Sequence, residues 1–399
     1  MTARRQILFI GGSSEPGGLH IHTADVARGL AHGGDNVAVL NTSIDYFTQL
    51  MAGSSVTVQT VPLPQPSSRR GSFHSWRALL APYYGWEMVI CRGTAGDTPL
   101  SALLAMRLSA RRIFTIEHRP AEANVPGGFW RRLRRRLMGR LVHRAIAVSE
   151  ETRLSTIAGG YLPPHKVVTC LNWIDVGAFR LRGDVRHGVR HHLGFSDDTI
   201  VLGYAGRLAP EKRIDVLIDA FAGLERMGDI RLMLIGDGWK KAELQQQCQA
   251  LGLDERVIFR GWKANTADSL AALDFFILPS LVEGFALSLL EAMAAGLPCL
   301  AHDMDSAREA IIDGKSGLVA DFTTAEGMRT AIERALALSR GERQAMGQAA
   351  TRRAASRFSR HLRLPAVLRV LEAERAALAA GEKDKNSPRR HFDFTSESG

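Results

Sequence analysis

Long apolar runs are missing from this 399-residue chain. No stretch approaches the ~18 apolar residues that a membrane-crossing helix needs, which excludes a spanning protein on this reading. Cysteine is scarce. Cys91, Cys170, Cys248 and Cys299 are widely spaced, mostly in apolar runs, and show no metal-ligand pairing. They are read as buried, reduced thiols in a cytoplasmic protein. Met1-Thr2-Ala3-Arg4-Arg5 moves straight into an apolar stretch at 7–10, so no secretory leader is expected. No P-loop or dinucleotide fingerprint is present. No repeat of 20–50 residues stands out beyond two similar halves.

Acidic residues are short in the first half. Residues 1–175 hold 20 Lys and Arg against 11 Asp and Glu, whereas the remainder holds 31 against 30, giving a net charge of +10. A basic half points to an anionic partner: nucleic acid, a membrane surface or a phosphorylated substrate. No base-stacking aromatic motif accompanies the arginines, which counts against nucleic acid.

The most informative stretch is 275–301. The apolar run 275–278 reads as a buried strand ending at Pro279. A loop with Glu283 and Gly284 follows. Leu287, Leu290, Glu291, Met293 and Ala294 then fall on helical spacing, and Gly296-Leu297-Pro298 stops the helix. The run 298–301 reads as the next strand. Such a unit belongs to an α/β sheet, where ligands bind at the carboxyl ends of strands. Taken singly, Glu283 reads as a solvated loop acid and Glu291 as a buried, paired one. The order Glu283-Gly284-Phe285, then Glu291 eight residues after Glu283, then Ala-Met-Ala-Ala-Gly-Leu-Pro, closely resembles the EX7E segment of the retaining glycosyltransferases of family 4, which have the GT-B fold.

Further segments fit that resemblance. A strand at 6–10 leads into the glycine-rich loop 11–18 and a helix at 20–32. Such a loop lets backbone N–H groups approach a phosphate; an ordinary turn is the other reading. Gly17 and Gly18 occupy the places of the family's paired glycines. His118 follows the strand 113–116. It reads as a structural histidine or, by resemblance, as the histidine that faces the donor sugar. Asn172-Trp173-Ile174-Asp175 resembles the family's end-of-domain segment, with Trp173 in the place of a glycine, which puts the backbone turn there in doubt. Gly206-Arg207-Leu208, with Glu211-Lys212, follows the strand 200–204 and matches a family motif. Arg207 as a fork and Lys212 as a point charge would neutralise a pyrophosphate there. Arg260-Gly261-Trp262 follows the strand 257–259, and in the family that loop lines the nucleobase. Ala286, Met304 and Asp305 stand where the family usually has glycine.

The expected fold is α/β: GT-B, two doubly wound Rossmann-like domains facing across a cleft. The expected division is a first domain over 1–178, a linker over 179–198, a nucleotide-sugar domain over 199–358, a helix over 359–381 crossing back to the first domain, and a disordered tail over 382–399. The resemblance implies a retaining, metal-independent transferase acting on a UDP-, GDP- or ADP-linked sugar, with no cofactor. The sequence shows no Asp-x-Asp element suited to a cation in the donor site. The implied catalytic residues are Glu283, His118, Arg207 and Lys212. The implied donor-binding residues are Gly17, Gly18, Arg207, Lys212, Gly261, Phe285, Ala286, Leu287, Ser288 and Glu291. Alternatives are a GT-B-like sugar-nucleotide epimerase and a nucleic-acid-binding protein.

Residues 129–144 stand apart. Trp130, Leu133, Leu137 and Leu141 are spaced three, four and four apart, flanked by Arg131, Arg132, Arg134, Arg135, Arg136 and Arg140. The stripe fits an amphipathic helix on an anionic membrane surface; a core-facing helix with a solvated arginine face is the other reading. With the family's use of lipid-linked acceptors, it suggests a glycan or glycolipid acceptor, such as a lipopolysaccharide or polyprenyl-linked precursor. The protein would then be peripheral at the inner face of the cytoplasmic membrane.

Overall fold

The computed structural model describes residues 4–11, 17–41, 44–61, 63, 69–92, 100–120, 135–137, 139–180, 183–224, 228–263 and 265–379. Trp130, Arg131, Arg132, Leu133 and Arg134 of the basic stretch, and the tail 382–399, lie outside the described residues.

Two parallel sheets carry the fold. The first comprises β1 (Gln6–Gly11), β2 (Asn36–Asn41), β3 (Thr57–Thr60), β4 (Glu87–Arg92), β5 (Arg112–Glu117), β6 (Arg144–Ala147) and β7 (Val167–Thr169). Its order is β3-β2-β1-β4-β5-β6-β7. The second comprises β8 (Ile200–Ala205), β9 (Ile230–Ile235), β10 (Val257–Gly261), β11 (Phe275–Leu278), β12 (Cys299–His302) and β13 (Leu318–Ala320), in the order β10-β9-β8-β11-β12-β13. In each sheet the chain winds outward from an internal first strand, then returns and winds the other way. That is the doubly wound arrangement expected from the sequence. It creates a crevice beside each first strand, between β1 and β4 and between β8 and β11.

Successive residues bury opposite faces of these strands. Ile7 and Phe9 join one apolar cluster, and Leu8 and Ile10 another. In the second sheet Val201 and Ala205 join the first cluster, while Leu202 and Tyr204 join a third. Parallel strands covered on both faces read as continuous apolar runs, which is why 275–278 was legible: all four residues of β11 are buried.

The segment 179–198, read from its polar composition as a linker, contains the helix Gly183–His192. Its arginines are structural. Arg186 donates to the carbonyls of Ala271 (2.9 Å) and Leu273 (2.6 Å) and to Asp274 (2.7 Å). Arg190, only 6% exposed, donates to Ala272 O, Ser196 O and Thr199 O. These guanidinium groups satisfy carbonyls just past the helix Ala267–Ala271, the groups that a helix end leaves bare. Composition alone hid this, because a buried clamp and a solvated charge look alike in sequence.

The chain then crosses back. Ile174 N–H donates to Phe358 O, and Arg360 N–H donates to Ile174 O, both at 2.9 Å. The helix Arg360–Ala379 packs Leu368 against Gly29, and Arg360 pairs with Asp25 (3.5 Å) and Asp175 (2.8 Å). Among the described residues no helix is long and apolar enough to cross a membrane. Cys170, Cys248 and Cys299 are free and buried, and burial pushes the Cys170 thiol up to about 12.

Candidate active site

The crevice between β8 and β11 brings two distant loops together. After β8, Pro210 opens a single 3-10 turn, Pro210–Lys212, that holds Lys212 at the strand mouth. After β11 comes the loop with Glu283. Lys212 Nζ donates to Glu283 Oε1 at 2.5 Å, and both side chains are largely shielded from solvent. Arg207 lies at the same mouth, more exposed, and donates to Glu211 at 2.7 Å. Tyr204, buried beneath, donates its hydroxyl to Arg207 O. Burial, and then the charge of Glu283, holds that phenol well above its usual range.

Beyond Glu283 the helix Leu287–Ala294 begins at Ala286, and no side chain caps it. The backbone N–H groups of Leu287 and Ser288 therefore belong to the bare first turn, which favours negative charge. Glu291 lies one turn further on and accepts the Thr266 hydroxyl at 2.9 Å. Desolvation pushes the Glu291 carboxyl up to about 6, against the downward pull of Thr266. Phe285 is buried; its carbonyl accepts Asn172 Nδ2 at 3.1 Å, a bond between the two domains. Gly261, at φ 66°, ends β10, and its carbonyl accepts Gly236 N–H at 2.9 Å. It marks the mouth of the neighbouring strand pair, beside the half-exposed Trp262.

The first domain presents its own strand ends to this site. His118 follows β5, and its carbonyl lies so close to Gly284 that an added Cβ there would stand 1.9 Å from it. Gly18 meets Leu287 in the same way, with the leucine Cδ1 2.7 Å from where a Cβ would be. Gly17 precedes the helix Gly18–His32 in fully extended backbone, with open space around it. The structure thus gathers Gly18, His118, Lys212, Glu283 and the start of the helix Leu287–Ala294 at one junction. Arg207 lies at its edge, and Glu291 one helical turn beyond Leu287, bonded to Thr266.

One group escaped the sequence reading. His22, 2% exposed, faces His118 edge-on, with ring centroids 4.9 Å apart, and lies against the indole of Trp173 at 4.1 Å. Trp173 Nε1 donates to Asp25 at 2.9 Å. Neither ring nitrogen of His22, nor Nε2 of His118, has a hydrogen-bond partner among the described residues. Burial holds His118 down to about 4 and His22 well below its usual value, so both rings are neutral at pH 7. The doubt about a turn at Trp173 resolves simply. Among the described non-glycine residues only Arg213 has positive φ, so no glycine is required there. The signal in the sequence was Trp173 itself, a large residue in a small one's place.

The basic stretch is partly described. Arg135 donates to Gly159 O at 3.0 Å and lies over the Tyr161 ring at 4.4 Å, so it is committed to the protein itself. Arg136, Leu137 and Arg140 are exposed, and Leu141 packs on the core. Among the described residues no group of three or more His, Cys, Asp or Glu side chains stands close enough to hold a metal ion.

Residues 188–353 match the family described as glycosyl transferases group 1. The N-acetyl-alpha-D-glucosaminyl L-malate synthase of Bacillus anthracis is 30% identical over 166 residues, 42% of this chain and 43% of that protein. The GDP-mannose-dependent alpha-(1-6)-phosphatidylinositol monomannoside mannosyltransferase of Mycolicibacterium smegmatis is 32% identical over 252 residues, 60% of this chain and 65% of that one. The chain thus spans less than two thirds of the length of these relatives. Among solved structures, Anabaena Alr3699/HepE in complex with UDP and glucose superposes with a TM-score of 0.80 at 20% identity, covering 93% of this chain and 100% of that one. That likeness establishes the GT-B architecture. The match to the glycosyl transferases group 1 family thus lies in residues 188–353, the segment that carries β8 to β13 with Lys212, Glu283 and Glu291.

Proposed function

We propose that the protein is a glycosyltransferase that moves a sugar, with retention of anomeric configuration, from a nucleoside-diphosphate donor to a glycan on a lipid carrier. The observation that carries this reading is the meeting of Lys212 and Glu283 at the crevice between β8 and β11, beside Arg207 and an uncapped helix start. Cations and bare N–H groups there suit a departing diphosphate, and stabilising that charge is the main service the site offers the reaction. Glu283 is assigned to hydroxyls of the donor sugar and Glu291 to those of the ribose. Gly18 is assigned to approach the phosphates from the first domain through its backbone, and His118, neutral, faces the sugar. The loop at Gly261 lines the nucleobase.

The lipid-borne acceptor rests on two supports. One relative is named for a phosphatidylinositol mannoside substrate. In this chain Arg136, Leu137 and Arg140 are exposed together, as a surface that meets anionic headgroups would require. The protein would then act peripherally on the membrane face that holds the nucleotide sugars.

The deciding experiment is a thermal-shift screen of UDP, GDP and ADP, followed by donor turnover with and without lipid-linked acceptors. A ligand at 100 times its Kd stabilises by about 2.7 kcal/mol. Stabilisation by one nucleotide and glycoside formation from its sugar support the reading. An epimer from donor alone, or no nucleotide response, overturns it.

A further inference from the structure

We infer that Glu151 and Glu309 form a reciprocal clasp across the cleft that positions the Glu283 loop. The helix Glu150–Ala158 starts at the carboxyl end of the first sheet, and the helix Asp305–Ala310 at that of the second. Each contributes a carboxylate to the other's opening turn. Ser306 N–H donates to Glu151 Oε2 at 3.0 Å, and Glu150 N–H donates to Glu309 Oε2 at 3.2 Å. Backbone N–H to carboxylate is a charge-assisted bond, stronger where water is thin. Desolvation raises the pKa of both carboxyls, as expected for acids enclosed between two domains.

The surroundings fix both donors. Ser149 caps the first helix by accepting Thr152 N–H at 3.1 Å. The carboxylate of Glu150 is taken by Arg153 and by Thr169 Oγ1 at 2.7 Å, which leaves its N–H to face Glu309. On the other side Arg353 donates to Glu309 O at 2.8 Å and Ala310 O at 2.6 Å. Ser306, 3% exposed, is the pivot: besides its N–H bond to Glu151, its hydroxyl donates to Glu283 O at 3.1 Å. A path of single bonds therefore runs from Glu151 in the first domain through Ser306 to the backbone of Glu283, whose side chain holds Lys212.

Interdomain contacts within a chain are generally small enough to open and close. A clasp of two bonds from opposite directions closes only when both helices are in register. Opening it also releases one anchor of the Glu283 loop. Glu151 and Glu309 are thus positioning residues, set apart from those assigned to the donor. Their effect on transfer rests on the proposed function, but the clasp itself does not.

The test uses the full chain with Glu151→Ala, Glu309→Ala, the double variant and the two Gln variants. Thermal melts check folding. Hydrogen exchange and small-angle scattering read the clasp without any substrate. The double Ala variant should exchange faster at the amides of Glu150 and Ser306 and across residues 281–286, and should scatter as a more open particle. The Gln variants keep an accepting oxygen and should stay near wild type. Where a donor turns over, each Ala variant should lose roughly tenfold in kcat, about the weight of one charge-assisted bond, with nucleoside-diphosphate affinity held. Wild-type exchange and scattering in the double Ala variant would overturn the clasp. Opening without loss of kcat would overturn its positioning role. If wild type turns over no donor, the proposed activity fails, and the clasp still stands or falls on exchange and scattering.

Discussion

Lys212 Nζ stands 2.5 Å from Glu283 Oε1, although 71 positions separate the two residues. The sheet order dictates this, because β8 and β11 are neighbours and both loops leave at their carboxyl ends. The pair has a consequence that neither residue shows alone. Glu283 pairs with a cation that is assigned to the diphosphate, so the two compete for Lys212. Glu283→Gln should therefore leave nucleoside-diphosphate affinity unchanged or raised while turnover drops. Lys212→Ala should weaken that affinity by about 1.5–3 kcal/mol, the worth of a charge-assisted bond. Calorimetry with the nucleotide and initial rates on both variants separate the roles. A fall in affinity for Glu283→Gln that matched that for Lys212→Ala would refute the division.

Much of this site was legible in the sequence because its parts are local. Glycine before a helix, a basic pair after a buried strand, and two glutamates eight apart each announce themselves within a dozen residues. Partners from distant segments did not. Thr266 gave no sign of meeting Glu291, nor Ser306 of bridging Glu151 and Glu283, since hydroxyls of that kind recur throughout the chain. The helix Gly183–His192 was missed because its arginines serve carbonyls on another element. The stack of His22 on Trp173 was half visible, as an oversized residue in a motif.

Glu291 should make the protein respond to pH. Its folded pKa of about 6 lies above the ordinary 4.5, so the folded protein holds a proton that the unfolded chain releases. Stability from this group falls as pH rises from about 4.5 to about 6, by roughly 2 kcal/mol in total. Glu291→Gln should flatten that slope in urea titrations at pH 4.5, 5.5 and 6.5. Nucleotide affinity should move the opposite way and rise through pH 6, because an ionised carboxylate accepts ribose hydroxyls more strongly. The Gln variant should lose that rise. A wild-type affinity that is flat between pH 5 and 7 would remove Glu291 from the nucleotide site.

Gly284 lies against the first domain with no room for a side chain. An added methyl would meet the carbonyl of His118, a backbone atom that cannot rotate away. Gly284→Ala should hold the domains apart, giving a larger radius of gyration and a large loss of turnover. At Gly18 the neighbour is the end of the Leu287 side chain, which can change rotamer. Gly18→Ala should thus be milder in scattering. Equal effects at the two positions would show that the contact at His118 is not the limiting one.

Trp173 should be needed for the first domain's stability. It is 3% exposed, packs on His22 and donates to Asp25, which Arg360 also engages. Trp173→Phe keeps an aromatic ring but loses the bond to Asp25 and part of the indole's volume, at a cost of about 1–3 kcal/mol. Trp173→Gly, the residue usual in the resembling family, leaves a cavity and should cost about 3–5 kcal/mol. Chemical denaturation measures both. If Trp173→Gly matched wild type, the indole would be filling space that the surrounding residues close without it.

The basic stretch yields the sharpest division among like residues. Arg135 is already committed to Gly159 O and the Tyr161 ring, whereas Arg136 and Arg140 are exposed beside Leu137. A headgroup attracts each basic residue near it by about 1 kcal/mol, less with rising salt. Arg136→Ser with Arg140→Ser should therefore weaken co-sedimentation with vesicles rich in phosphatidylserine by roughly 10- to 30-fold at low salt. Nucleotide affinity should not change. Arg135→Ser should act differently: it bares the Gly159 carbonyl and the Tyr161 face, so the melting temperature falls. Adding Arg131→Ser and Arg132→Ser should deepen the vesicle effect. If wild type stays in the supernatant with anionic vesicles at low ionic strength, no membrane docks on this stretch. Retention on an RNA column under the same conditions would then identify nucleic acid as the polyanion these arginines meet.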